Sequence, residues 1–463
     1  MLDGGIFAIY NDNKEDIYMK RLIEEKLLKW KNSQGRMPLI LDGARQIGKT
    51  HSMLAFGKEY YSNMAYFNFE GNNRLQTVFE EDLDIFRILR ELSSLIGKTI
   101  SKETTLIVFD EIQACPRAIT SLKYFCENAP EYHIICAGSL LGVALNRESK
   151  VKGADAKEHF SFPVGKVDHL KMFPMNFQEF LWALEFNDLA NMIEENFKKL
   201  TPLPDILHSK ALELYKTYLV VGGMPASVLE YISRKDFDLV RSKQIQIFND
   251  YTTDMVKYST KIESSRHEAA YNSLPSQLLK ENQKFQYAII KTGARAKEYE
   301  DSILWLKKAG IALISYLLDV KNEMKLPLES YKDNFSFKVF LSDVGLLCSK
   351  LFVTPEMILT NINFSGEVKG AIVENYLAQE LAANEHNLYY WTSAGTAEID
   401  FVLQLKNNFI PIECKAATNT RSRSLTGFTE KFKPAYSIRV SAKNFGYENN
   451  IKSIPLYAVW CIK

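Results

Sequence analysis

Along the chain, short continuous apolar runs alternate with longer segments whose apolar residues recur at helical spacing. Leu22, Ile23, Leu27, Leu28 and Trp30 lie among charges between Met19 and Lys31, which predicts an amphipathic helix. Pro38-Leu-Ile-Leu41, Tyr66-Phe-Asn-Phe69, Thr105-Leu-Ile-Val-Phe109 and His133-Ile-Ile-Cys-Ala137 read as strands, the third of them rich enough in apolar residues to be buried on both faces. Helical patterns separate them, so residues from about Pro38 to Phe162 predict an α/β fold, a parallel sheet with helices on both faces. The stretch from Met172 to about Tyr258 is helix-rich and broken at Gly222-Gly223-Met224-Pro225, which reads as a hinge between helices. From Ser265 to Leu351 the pattern is helical, then hairpin-like. Glu298 to Lys308 resembles a recognition-type helix, with Ile311 to Val320 and Phe337 to Leu341 as a wing.

Chemistry enters at the end of the first strand. Residues Gly43 to Thr50 read Gly-Ala-Arg-Gln-Ile-Gly-Lys-Thr and fit G-x-x-x-x-G-K-[ST] at every fixed position. Gly43 and Gly48 open backbone angles closed to residues with a Cβ, so successive N–H groups can turn toward phosphate oxygens. A helix starting near Lys49 adds its positive dipole end. Lys49 then reaches the β- and γ-phosphates of ATP, and the Thr50 hydroxyl binds Mg²⁺. The third strand ends in Asp110-Glu111, which suits Asp110 to the metal and Glu111 to the attacking water. Ser139 follows the fourth strand, where it reads equally as a sensor of the γ-phosphate or as a helix cap.

Composition narrows the class. A chain of 463 residues exceeds one hydrophobic core and predicts two to four domains. A formal net charge of +1 excludes a global field toward nucleic acid or membrane, so any such surface is local. The six cysteines show no C-x-x-C pair and read as reduced thiols, and the seven histidines have no metal-ligand spacing. No signal peptide and no apolar stretch of about 18 residues is visible, which predicts a cytoplasmic protein without membrane contact.

The ordered signatures GARQIGKT, FDEIQ, CAGS, FPMNFQEFL, VGGMP and LSDVGLL resemble the bacterial and archaeal AAA-type ATPases that carry a C-terminal domain of unknown function. The resemblance spans nearly the whole chain. It implies an ATPase domain at 1–165, a helical lid at 166–260, a winged-helix-like segment at 261–352 and a restriction-nuclease-like domain at 353–463. Oligomers are implied as possible. Where such relatives often have Gly-Arg, this chain has Gly165-Lys166, whose ammonium cannot form a bidentate fork. Arg117 and Arg147 are candidates for an arginine finger, or surface arginines.

The C-terminal third carries a second constellation. Glu374 lies in an amphipathic helical pattern, Asp400 in the strand-like Ala397-Glu-Ile-Asp-Phe-Val-Leu403, and Glu413 and Lys415 in Phe409-Ile-Pro-Ile-Glu-Cys-Lys415. Two apart on a strand, Glu413 and Lys415 share a face. This order resembles the PD-(D/E)xK nuclease fold. The resemblance implies that Glu374, Asp400 and Glu413 hold Mg²⁺ or Mn²⁺ while Lys415 orients the water for phosphodiester hydrolysis. A surface ladder of salt bridges fits the same residues. Lys415, Arg421, Arg423, Lys431, Lys433, Arg439, Lys443 and Lys452 face only Glu430 and Glu448, a local basic segment that suits DNA. Two functions follow: an ATPase coupled to a DNA-acting nuclease, or a nucleotide-gated switch whose C-terminal module binds DNA or protein without cleaving.

Overall fold

The computed structural model describes residues 18–138, 162–280, 283–393, 397–415 and 423–463. Two compact units divide at Phe173 and Pro174.

The first unit is built on a five-stranded sheet in the order β2-β3-β4-β1-β5. Its strands are β1 (Leu39–Asp42), β2 (Asn63–Asn68), β3 (Thr105–Asp110), β4 (His133–Ala137) and β5 (Asp168–Lys171). Every pairing is parallel. The α/β architecture expected of the sequence is therefore present. The fifth strand was not anticipated: Asp-His-Leu-Lys has no apolar run to announce it, and it pairs outside β1 at the sheet edge. Helices α1 (Ile23–Lys31), α2 (Lys49–Tyr60), α3 (Asn73–Thr77), α4 (Ile85–Ile96) and α5 (Pro116–Asn128) cover the sheet. On one side Phe67, Phe69, Phe79, Phe109 and Phe125 meet edge to face or tilted around Phe109, with Ile88, Leu92 and Leu122 closing the core. This packing fixes β3 rigidly, and with it the carboxylate at its end.

The second unit holds helices and two sheets. One sheet has the order β7-β6-β8-β9, formed by β6 (Ala312–Leu318), β7 (Lys332–Leu341), β8 (Tyr389–Thr392) and β9 (Glu398–Ile399). The other has the order β10-β11-β12-β14-β13 and comprises β10 (Phe401–Leu405), β11 (Asn408–Cys414), β12 (Ser437–Ser441), β13 (Gly446–Glu448) and β14 (Ile451–Pro455). The hairpin β6–β7 follows a helix at Ala296–Lys308, but β6 also pairs in parallel with β8. It is thus an inner part of a sheet that continues into the C-terminal region, across residue 352.

The helix Gly366–Ala383 departs from its amphipathic pattern, being buried on all sides from Ala371 to Ala382. Most of its buried polar side chains find partners inside the unit, although Glu380 Oε2 is buried without one. Asn375 bonds both the N–H and the carbonyl of Leu341, the Gln379 side chain accepts from the Val344 N–H, and Glu380 accepts from the Phe177 N–H. Matched in this way, buried polar groups need not be excluded from a core. Gly222 and Gly223 are tightly packed. A Cβ at Gly223 would lie 1.9 Å from the Met175 carbonyl oxygen, and one at Gly222 would lie 2.4 Å from the Asp343 carboxylate. Close approach demands glycine here, and the chain breaks between the helices Asp205–Val221 and Pro225–Arg234 where the sequence placed the junction.

Candidate functional site

The loop between β1 and α2 takes the form its glycines allow. Gly43 has φ 146° and Gly48 φ 91°, both in the region that disfavours side chains, and Gly48 caps α2. A Cβ on Gly43 would also meet the Met172 carbonyl oxygen at 2.4 Å. Lys49, the first residue of α2, is buried, and its ammonium donates to the carbonyls of Gly43 (2.8 Å) and Ala44 (2.7 Å). Burial pulls its pKa down to about 8, against the opposing charges of Glu111 and Asp110. A cation held only by carbonyl dipoles in a buried loop is short of negative charge, which is what a phosphate supplies.

Thr50 Oγ1 donates to Asp110 Oδ2 at 2.7 Å, which joins the loop to the end of β3 across 60 residues of sequence. The Tyr66 hydroxyl of β2 donates to the same oxygen at 2.9 Å. Burial raises the Asp110 pKa, while the bonds from Thr50 and Tyr66 oppose the rise. Glu111 follows in a left-handed conformation with φ 50°, and its other flank is held by the Gln113 amide. Its N–H donates to Asp110 Oδ1 at 3.0 Å. The strand order puts β4 between β1 and β3, so the ends of three neighbouring strands converge at the loop.

Lys49, Thr50, Asp110 and Glu111 are thus brought together with Gly43 and Gly48. Ser139, the other residue expected there, lies outside the described residues, as does Arg147. Arg117 donates through Nε to the Phe79 carbonyl, a bond within the first unit, and Lys166 pairs with Glu127 at 3.1 Å. Sequence reasoning missed Arg21. Its buried guanidinium donates to the Ile47 carbonyl inside the loop (2.7 Å) and to the Phe173 carbonyl (2.8 Å). A lone arginine before a helix, 26 residues from its partner, carries no local signal.

In the second unit, Glu374, Glu398 and Asp400 each offer a carboxylate oxygen within 4.8 Å of the others. Asp400 stands at the bend where the chain leaves β9 for β10, and its Oδ2 accepts the Cys414 N–H at 2.7 Å. Burial, with Glu374 and Glu413 close by, drives the Asp400 pKa well up. Glu413 is buried and pairs with Lys415 at 2.6 Å, while its second oxygen, Oε2, is buried without a partner. Parallel pairing sets Arg439 of β12 beside Glu413.

Two members of this cluster were not foreseen. Glu398 lies two residues before Asp400, and Lys338 sits on β7, about sixty residues away in sequence. The Lys338 side chain is 1% exposed and its ammonium donates to Glu374 at 2.8 Å and to Glu398. Burial works to lower its pKa, but Glu374, Glu398 and Asp400 outweigh it and hold the value above the usual lysine range. In the sequence Lys338 falls inside the Phe337 to Leu341 run, which was read only as part of a wing. In the basic segment, Lys452 lies over the Tyr436 ring at 3.7 Å and Lys431 over Phe432 at 4.8 Å, while Arg421 lies outside the described residues.

Residues 35–181 match the family model of an AAA domain. The first unit carries an AAA-type P-loop ATPase domain. Residues 212–356 match a domain of unknown function, DUF8612, and residues 369–459 another, DUF4143. Among solved structures, the chain is similar to a Walker-type ATPase of Pyrococcus abyssi at 14% identity and a TM-score of 0.41, covering 72% of this chain and 96% of that one. It is also similar to the Orc1 protein of Aeropyrum pernix, solved in complex with DNA, at 15% identity and a TM-score of 0.26, covering 74% and 91%. No curated protein matches. Among the described residues no helix is long and apolar enough to cross a membrane.

Proposed function

We propose that the first unit binds and hydrolyses MgATP and that its nucleotide state governs a metal-dependent, DNA-acting module in the C-terminal region. The observation that carries the ATPase reading is the Thr50–Asp110 hydrogen bond, which sets two hard oxygen ligands 2.7 Å apart beside Lys49. In this reading Lys49 and the loop amides, with Gly43 and Gly48 shaping the loop, hold the phosphates. Thr50 and Asp110 hold Mg²⁺, and Glu111 orients the hydrolytic water. When bound, the cation neutralises charge that builds on the phosphate oxygens. Ser139 stays a candidate phosphate sensor. The test is ATP turnover with Glu111→Gln as control: loss of turnover with nucleotide still bound supports the reading, and normal turnover removes Glu111 from it.

For the C-terminal region, the converging carboxylates of Glu374, Glu398 and Asp400 suit Mg²⁺ or Mn²⁺, and Glu413, expected as a third ligand with Glu374 and Asp400, adds a buried Oε2 without a partner, the kind of acceptor that a cation would satisfy. The metal would supply Lewis acidity and an activated water there, with Lys415 beside it. The basic segment around Arg423, Arg439 and Lys452 supports DNA as the ligand through phosphate contacts. Cleavage of supercoiled DNA with Mg²⁺ or Mn²⁺, absent in Asp400→Ala, tests it.

One observation favours a second reading, a nucleotide-gated binding switch without cleavage. Lys338 already engages Glu374 and Glu398, so part of the carboxylate charge is neutralised from within. DNA or protein binding that persists in Asp400→Asn, with no cleavage in either form, would select the switch.

A further inference from the structure

We infer that Lys338 is a built-in counter-ion that competes with a divalent cation for the carboxylate cluster, so that the site takes metal only as this lysine gives up its partners. The inference rests on the metal reading of the cluster and adds a positioning residue to it.

Four carboxylates, Glu374, Glu398, Asp400 and Glu413, stand against two ammonium groups, Lys338 and Lys415. With Arg439 of β12 beside Glu413, four carboxylates face three cationic side chains, so the cluster keeps a net negative charge to which a divalent cation is drawn. Lys415 is partly exposed and pairs with Glu413, which is not one of the three converging carboxylates. Lys338 is different. It is fully enclosed, bonds two of the three residues whose oxygens converge, and lies 5.2 Å from the centroid of the Tyr390 ring, which favours a cation at that position. Two of the carboxylates that a metal would need are therefore already engaged by Lys338.

The second observation that points to a ligand is Glu413. Its Oε2 is buried and unpartnered, and Glu413 lies close enough to Glu398 and Asp400 to interact with both electrostatically. A cluster closed by Lys338 alone leaves this oxygen unsatisfied, which a buried acceptor tolerates only at a free-energy penalty. A cation held by Glu374, Glu398 and Asp400 would also offset the Glu413 charge that acts on Glu398 and Asp400. The chemistry selects a hard divalent ion, since every donor is a carboxylate oxygen and neither histidine nor thiolate takes part.

Removing the ammonium while keeping its stem should therefore strengthen metal binding. In nucleotide-free full-length protein, Mn²⁺ titrated by calorimetry should bind Lys338→Met about tenfold or more tightly than wild type, because one positive charge within a few ångströms is lost. Asp400→Ala should abolish this binding in both backgrounds. Lys338→Gln, which keeps a hydrogen-bonding side chain, carries the same expectation if the methionine variant does not fold. Equal Mn²⁺ affinity in wild type and a folded Lys338 variant, with Asp400 still required, overturns the counter-ion role and leaves the metal reading standing. Absence of any Asp400-dependent Mn²⁺ binding in both overturns the metal reading and this inference with it.

Discussion

Two buried lysines, one in each unit, show how the same side chain can prepare opposite sites. Lys49 donates to backbone carbonyls, and its pKa falls to about 8 because burial is not offset by close ion pairs. Lys338 is at least as deeply buried, yet its pKa is raised, because Glu374, Glu398 and Asp400 surround it. The first site has a cation in want of an anion; the second has anions whose charge one lysine only partly cancels. What decides the outcome is the identity of the acceptor, carbonyl or carboxylate, more than the depth of burial. In the proposed function the P-loop is thereby suited to phosphate, and the C-terminal cluster to a metal ion.

The largest expected effect breaks the first half of the comparison. Glu111→Gln should slow ATP turnover by on the order of 10²-fold or more while leaving nucleotide affinity within a few-fold, measured by phosphate release and by calorimetry. Next, Lys49→Ala should weaken MgATP binding by on the order of 10²-fold, because a charge-assisted contact to phosphate is lost.

The two lysines should then part company in ligand-free stability. Lys338→Met should destabilise the second unit by about 3 kcal/mol, since it leaves buried carboxylates uncompensated. Lys49→Met should leave the first unit as stable or raise its stability by up to about 2 kcal/mol, since it removes a buried cation held only by dipoles. Thermal melts of both variants without nucleotide check this pair, and a similar loss in each would erase the contrast. The pH dependence has a defined sign. The folded pKa of Lys49 lies below its unfolded value of 10.5, so the unfolded chain binds more protons and the first unit gains stability as pH rises from about 8 to 10.5.

The smallest effect concerns a carboxyl outside both sites. Glu380 is fully buried and its pKa is pushed up to about 8 by burial, opposed by the Phe177 N–H. The folded state then binds the extra proton. Its contribution is complete below about pH 4.5 and is lost as pH rises through about 8. Glu380→Gln should flatten this slope by about 1–2 kcal/mol between pH 5 and 8, read from melting temperature across pH.

The sequence disclosed what is local. Gly43 to Thr50 and the apolar strand ending in Asp110-Glu111 announce the ATPase site because each motif is contiguous and the parallel sheet brings the two together. Glu413 and Lys415 were legible for the same reason, as neighbours on one strand. What stayed hidden depends on tertiary packing. β5 is four residues of mixed polarity that become a strand only by pairing with β1. Arg21 and Lys338 act on partners far along the chain, and an isolated basic residue in a charged protein has no signature. Asp400 was read inside one strand, whereas it marks the bend between two sheets, and that bend is what lets Glu398 and Asp400 converge with Glu374. The helix bearing Glu374 looked amphipathic because its buried Asn375 and Gln379 are satisfied by Leu341 and Val344, distant groups that no local pattern reveals.

The most direct measurement is a crossed calorimetric titration of Lys49→Ala and Asp400→Ala, with MgATP in one set and Mn²⁺ without nucleotide in the other. Lys49→Ala should lose MgATP binding and keep Mn²⁺ binding, while Asp400→Ala should do the reverse. Retention of MgATP binding by Lys49→Ala, or of undiminished Mn²⁺ binding by Asp400→Ala, would contradict this.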